Sequence, residues 1–109
     1  MTMKLFTKAQ LQKLRTNSRK GGNHKPVVKL FNPCGAATWL LSELDDDNIA
    51  FGLCDLGMGC PELGYVSIAE ITSVRLPFGL KIERDIHFKA TKSLSEYAKE
   101  ARESGQIAA

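Results

Sequence analysis

The densest group of side chains able to do chemistry lies in the run Asp55-Leu56-Gly57-Met58-Gly59-Cys60-Pro61-Glu62-Leu63-Gly64. Two carboxylates such as Asp55 and Glu62 can exchange protons with a substrate or hold a metal, and glycines let a backbone approach a ligand closely. The spacing is neither a dinucleotide fingerprint nor a phosphate loop, because no glycine turn runs directly into a helix with the required lysine. The reading preferred here is a structured loop leaving a strand, with glycines at positions of positive φ. Cys34, Cys54, Cys60, His24 and His87 are potential metal ligands. Structural zinc, however, usually takes two ligands from one tight turn, and five residues separate Cys54 from Cys60. Neither a metal nor a cofactor is expected. Cys60 and His87 could be assembled into a nucleophilic pair, but nothing local marks an activated thiol. Three cysteines at irregular spacing are not a disulfide framework, so reduced thiols are expected. Arg84 falls among aliphatic neighbours and needs a carboxylate or carbonyl partner if buried.

Charge is distributed far less evenly than the net value of +3 suggests. From Met1 to Ser42 there are eight basic residues and no acid: Lys4, Lys8, Lys13, Arg15, Arg19, Lys20, Lys25 and Lys29. From Glu43 to Glu70 there are seven acids and no Lys or Arg: Glu43, Asp45, Asp46, Asp47, Asp55, Glu62 and Glu70. Two surfaces of opposite sign could steer partners of opposite sign. Alternatively, the two blocks face each other and partly neutralise. The acidic reading takes Glu43, Asp45, Asp46, Asp47 and Glu62 as a partner-binding face. The basic reading takes Lys8, Lys13, Arg15, Arg19, Lys20 and Lys25 as phosphate contacts on nucleic acid. Aromatic residues make up only 7% of the chain, and no helix-turn-helix, zinc finger or stacking sheet is recognisable.

The elements that must carry these residues have readable starts. Thr7 with Gln10, Ser67 with Glu70 and Ser93 with Glu96 each have the spacing of a capping box. The first helix should run to Gly21-Gly22, the second should stop before Pro77, and the third should stop at Gly105. Strands are expected over 26–31, 37–44 and 49–56, with Asp45-Asp46-Asp47-Asn48 as the loop of a hairpin between the last two. Residues 62–66 are expected to pair only briefly, and 80–88 alternates cleanly enough to predict a long strand. The order α-β-β-β-α-β-α implies an α+β domain with a mostly antiparallel sheet of about four strands and three helices. The expected core is Val28, Leu30, Trp39, Leu41, Phe51, Leu53, Ile71, Ile82, Ile86, Phe88 and Tyr97.

With 109 residues, 43% hydrophobic and 25% charged, residues 1–109 fit a single globular domain. No apolar run approaches the roughly 18 residues of a membrane span, and the N-terminal run has no secretory pattern. A cytoplasmic location is the expectation.

The stretches PVVKLF (26–31), ATWLLSELD (37–45), IAFGLCDLG (49–57), PELGYVS (61–67) and ERDIHF (83–88) together resemble an uncharacterised bacterial family catalogued as a domain of unknown function. The resemblance covers nearly the whole chain after the first helix and is most specific from Trp39 to Tyr65. It implies a setting on plasmids and other mobile elements, often near antirestriction genes, and carries over no catalytic residue, cofactor or substrate. The expected function is a small non-enzymatic protein that binds a protein partner, as an inhibitor of a host defence complex of the anti-restriction or anti-CRISPR type. The alternative is a nucleic-acid-binding accessory of plasmid transfer or maintenance. An enzyme built on Asp55, Glu62 and His87 ranks last, because no convergent constellation is visible.

Overall fold

A computed structural model describes residues 5–109. The helices are α1 (Lys8–Lys20), α2 (Ile68–Ser73) and α3 (Leu94–Ser104); the strands are β1 (Val28–Phe31), β2 (Thr38–Leu44), β3 (Ile49–Asp55), β4 (Glu62–Ser67) and β5 (Glu83–Arg84). Five strands form one antiparallel sheet in the order β4-β3-β2-β1-β5. The α+β class and helix count match the expectation, and the sheet has one strand more.

Helix starts follow the side-chain chemistry. Thr7 and Ser93 form complete capping boxes, each accepting from the backbone N–H three residues on while Gln10 or Glu96 reaches back. At α2, the Ser67 hydroxyl accepts from the Glu70 N–H at 3.3 Å. The N–H and hydroxyl of Ser93 hold the Glu96 carboxyl below the usual glutamate range. That contribution to α3 is present above the ordinary glutamate pKa and is lost as pH falls through the lowered one. Gly105, at φ 82°, closes α3 in the left-handed conformation, its N–H donating to the Ala101 carbonyl.

The sheet is buried on both faces. Val28, Leu30, Trp39, Leu41, Leu44 and Ala50 pack with Leu5 and Leu14 on the α1 side. Leu40 and Leu53 pack with Leu94, Tyr97, Ala98 and Ala101 of α3 on the other. This is why β2 is buried at nearly every position instead of alternately. Between Leu41 and Glu43 the β2–β3 register shifts by one residue at Ser42, a β-bulge. Gly52 lies opposite, pairing with Leu41, and a Cβ there would collide with the Leu40 backbone carbonyl. Only glycine fits that position.

Three expectations need correction. The alternating run 80–88 pairs with β1 as a strand only at Glu83–Arg84, followed by one further backbone hydrogen bond from the Asp85 N–H to the Lys29 carbonyl at 2.9 Å. Asp85 then turns the chain: its carboxylate accepts the His87 N–H at 2.8 Å and its carbonyl accepts the Phe88 N–H at 3.3 Å. Once the chain turns, alternation no longer decides burial. Ile86, expected in the core, is 74% exposed. Phe51 and Phe88 are only partly buried, at the margin of the α3-side cluster. Conversely, β4 is a full strand of six residues rather than a brief pairing.

Trp39 is 8% exposed in the α1-side core, so its emission should be blue-shifted from that of indole in water, and Trp39→Ala should cost about 3–5 kcal/mol. Gly52→Ala adds one methyl yet should cost about 3 kcal/mol, because backbone must move to admit it. Urea denaturation of both variants measures these costs, and Gly52→Ala at wild-type stability would contradict the close approach.

Candidate functional site

The acidic tetrapeptide closes the β2–β3 hairpin, and its backbone is tightly specified. The Asn48 N–H donates to the Asp45 carbonyl at 3.1 Å, and the Asp45 N–H donates to the Ile49 carbonyl at 3.0 Å. Asn48 sits at φ 60°, a conformation asparagine tolerates better than most residues. This is a three-residue hairpin loop, a turn followed by a left-handed residue. One Asp45 carboxylate oxygen accepts from the N–H groups of both Asp47 and Ile49 at 2.9 Å. That carboxylate therefore organises the loop from inside, while Asp46 and Asp47 are exposed.

α1 reaches the same hairpin from the side. The Asn17 amide is buried and donates to the Ser42 carbonyl at 3.0 Å. This carbonyl lies where the β2–β3 register shifts, so the contact joins α1 to the bulge. Two residues earlier on the helix, the Arg15 guanidinium donates to the Asp45 carbonyl and to the Asn48 side-chain oxygen, both at 2.9 Å. It also lies 3.6 Å from Asp46, whose side chain is 92% exposed. An ion pair that exposed contributes little on its own. The anchoring is in the two hydrogen bonds.

Among the described residues, the two charge blocks thus meet at Arg15 rather than cancelling wholesale. Lys8, Lys13, Arg19, Lys20 and Lys25 are exposed and make no ion pair among the described residues. By helical periodicity Lys8, Arg15 and Arg19 share one border of α1, while Lys13 and Lys20 share the other. The acids are also divided. Glu43 is half-buried opposite Phe51, and exposed Glu62 lies opposite Cys54. Five residue steps along the strand, about 17 Å at the usual rise, separate Cys54 from the loop-proximal Ile49. Glu62 is therefore remote from Asp46 and Asp47.

The catalytic candidates do not converge. Asp55 is 3% exposed, and its two oxygens accept the N–H groups of Gly57 at 2.9 Å and Ile107 at 3.0 Å. It ties the glycine loop and the segment after α3 to the sheet. Its neighbour Cys54 is the register partner of Glu62, so Asp55 and Glu62 point to opposite faces. Gly57 and Gly59 have φ of 81° and 80°, as the loop reading requires. Cys34 and Cys60 are exposed thiols, whereas burial pushes the half-buried Cys54 thiol up from its ordinary range. Among the described residues, no three His, Cys, Asp or Glu side chains gather as a metal site. Arg84 donates to the Leu5 carbonyl at 2.9 Å. His87 is exposed beside the Asp85 turn, and the His24 ring lies 2.8 Å from the Gly21 carbonyl. Asn17 is the residue that sequence reasoning missed. One polar side chain in the inward stripe of α1, three residues after Leu14, was its only signal.

A family model described as protein of unknown function (DUF2958) matches residues 5–108, and the chain belongs to that family. No curated protein and no solved structure matches it significantly. No helix among the described residues is long and apolar enough to cross a membrane.

Asn17→Ala leaves the buried Ser42 carbonyl without its donor and should cost about 1–3 kcal/mol. Arg15→Ala, at the half-exposed loop, should cost about 1 kcal/mol. Chemical denaturation checks both, and a smaller cost for Asn17→Ala than for Arg15→Ala would contradict the difference in burial. Under native conditions a thiol reagent should modify Cys34 and Cys60 well before Cys54; peptide mapping of the modified protein reads the order.

Proposed function

We propose that this DUF2958 protein is a binding protein without chemistry of its own, which engages a basic protein surface through Asp46 and Asp47. The observation that carries this reading is the pairing of two exposed carboxylates with a loop backbone already fixed by Asp45, Asn48 and Arg15. A loop ordered in advance loses little conformational freedom on binding. Its charge steers a cationic partner and favours fast association. The mobile-element setting implied by the resemblance gives the partner its class: a host defence complex in the cytoplasm, with a groove that accepts an acidic backbone. Inhibition of such a complex needs only a complementary surface.

A second reading rests on the exposed lysines and arginines around α1. These could contact phosphates, and binding would then be independent of base sequence and strongly salt dependent.

Affinity capture from host cells, with and without nuclease, separates the two readings. Under the first, a protein partner survives nuclease, and Asp46→Asn with Asp47→Asn lowers its recovery at least about ten-fold by removing the steering charge. Asp45 is left unchanged in this variant so that the loop stays ordered. Wild-type recovery by the double variant contradicts the acidic-loop reading. Loss on nuclease, together with weakened binding by Lys13→Glu and Arg19→Glu, favours the second.

A further inference from the structure

The edge of the sheet at β4 lacks the features that normally keep sheet edges apart. Among the described residues, β4 ends the strand order, with β3 on one side and no strand on the other. The opposite edge, β5, is protected by being two residues long. β4 has six residues, Glu62-Leu63-Gly64-Tyr65-Val66-Ser67, with no lysine, proline or bulge and a single charge.

Its hydrogen-bonding phase can be read from one contact. The Ile68 N–H donates to the Asn48 carbonyl at 3.1 Å, and that pair continues the register Ile49–Ser67 and Ala50–Val66. In an antiparallel ladder, hydrogen-bonded pairs alternate. Residues 62, 64 and 66 therefore aim their backbone groups at β3, while Leu63, Tyr65 and Ser67 aim theirs outward. Side chains obey the same parity. Leu63 pairs with Leu53 of the α3-side core, and the Tyr65 ring stands 5.0 Å from Phe51. Yet Leu63 is 39% and Tyr65 76% exposed. The free backbone groups and the uncovered apolar side chains thus belong to the same residues.

We infer that β4 pairs antiparallel with β4 of a second copy of this chain, about a two-fold axis at Gly64, joining the two sheets edge to edge. This register sets Leu63 against Tyr65 of the other copy, twice, so each exposed apolar side chain meets another. Those two pairs exchange four backbone hydrogen bonds. Glu62 faces the other copy's Val66, and the two Glu62 carboxylates lie at opposite ends of the joint, more than about 10 Å apart and screened at ordinary salt. A register centred on Tyr65 would set Leu63 against Ser67 instead. The two strand edges and four apolar side chains cover on the order of 600–800 Å², below the roughly 1,200 Å² of stable complexes. The pairing is therefore reversible and depends on concentration.

Sedimentation velocity of the full chain, from low to several hundred micromolar, tests the inference. A monomer–dimer equilibrium is expected. Hydrogen exchange should show the amides of Leu63 and Tyr65 gaining protection with concentration, while that of Val66 is protected throughout. Tyr65→Lys and Leu63→Lys, each with its fold checked by circular dichroism, should shift the dimer midpoint at least about ten-fold upward. A wild-type chain that stays monomeric overturns the proposal, as does a dimer insensitive to both lysines or one that leaves the Leu63 and Tyr65 amides unprotected. Because Asp46 and Asp47 are not in this strand, loss of partner capture by their Asn variants leaves these readouts unchanged.

Discussion

The hydrogen bond from the buried Asn17 amide to the Ser42 carbonyl fixes how the rest of the molecule is arranged. The β2–β3 register shifts at Ser42, and the Ser42 carbonyl meets the Asn17 amide in the interior, where an acceptor deprived of its donor is costly. Asn17 is the side chain that satisfies it, and it can do so only if α1 lies along β2 at one height and one rotation. Gly52 completes the constraint by letting the two strand backbones approach where the register changes. With α1 held in that position, Leu14 fills the core beside Val28, Leu30 and Trp39. Arg15 then falls within reach of the hairpin loop.

Electrostatics follow from this packing. The charge blocks separate along the chain, but the bulge brings one cation from the basic block onto the acidic loop. Arg15 contributes mainly through hydrogen bonds to a carbonyl and an amide oxygen, leaving Asp46 and Asp47 in water. Asp45 points inward and organises the turn. Three consecutive aspartates thus divide into one structural and two surface carboxylates. Composition cannot make that division, because it depends on which carboxylate faces the loop's own N–H groups.

Much of the architecture was legible because it is local. The helix starts at Thr7, Ser67 and Ser93 depend on residues three apart, and each is present. The hairpin at 45–48 and the closing glycine at 105 are similarly local. What depends on distant contacts was not legible. Residues 80–88 alternate like a strand, but their backbone contact with β1 ends at the Asp85 N–H and Asp85 turns the chain afterwards, so Ile86 faces water. Leu53 is in the expected core and buried, but Leu40 is absent from that expectation because both sheet faces are covered, which removes the alternation that marks a one-sided strand. At the candidate site the exposed acids were legible as a loop. Their anchoring was not, because a buried Asn17 looks like any polar residue until the bulge supplies its acceptor.

The central claim is that α1 holds the acidic loop in place through the bulge. Native-state hydrogen exchange at the Asp47 and Ile49 amides, which donate to Asp45, tests it most directly when wild type is compared with Asn17→Ala. The account predicts exchange at these two amides at least about ten-fold faster, corresponding to about 1.4 kcal/mol of local opening, with the Ala101 amide in α3 changed much less. Unchanged exchange at the loop, or equal acceleration at the loop and α3, would contradict it.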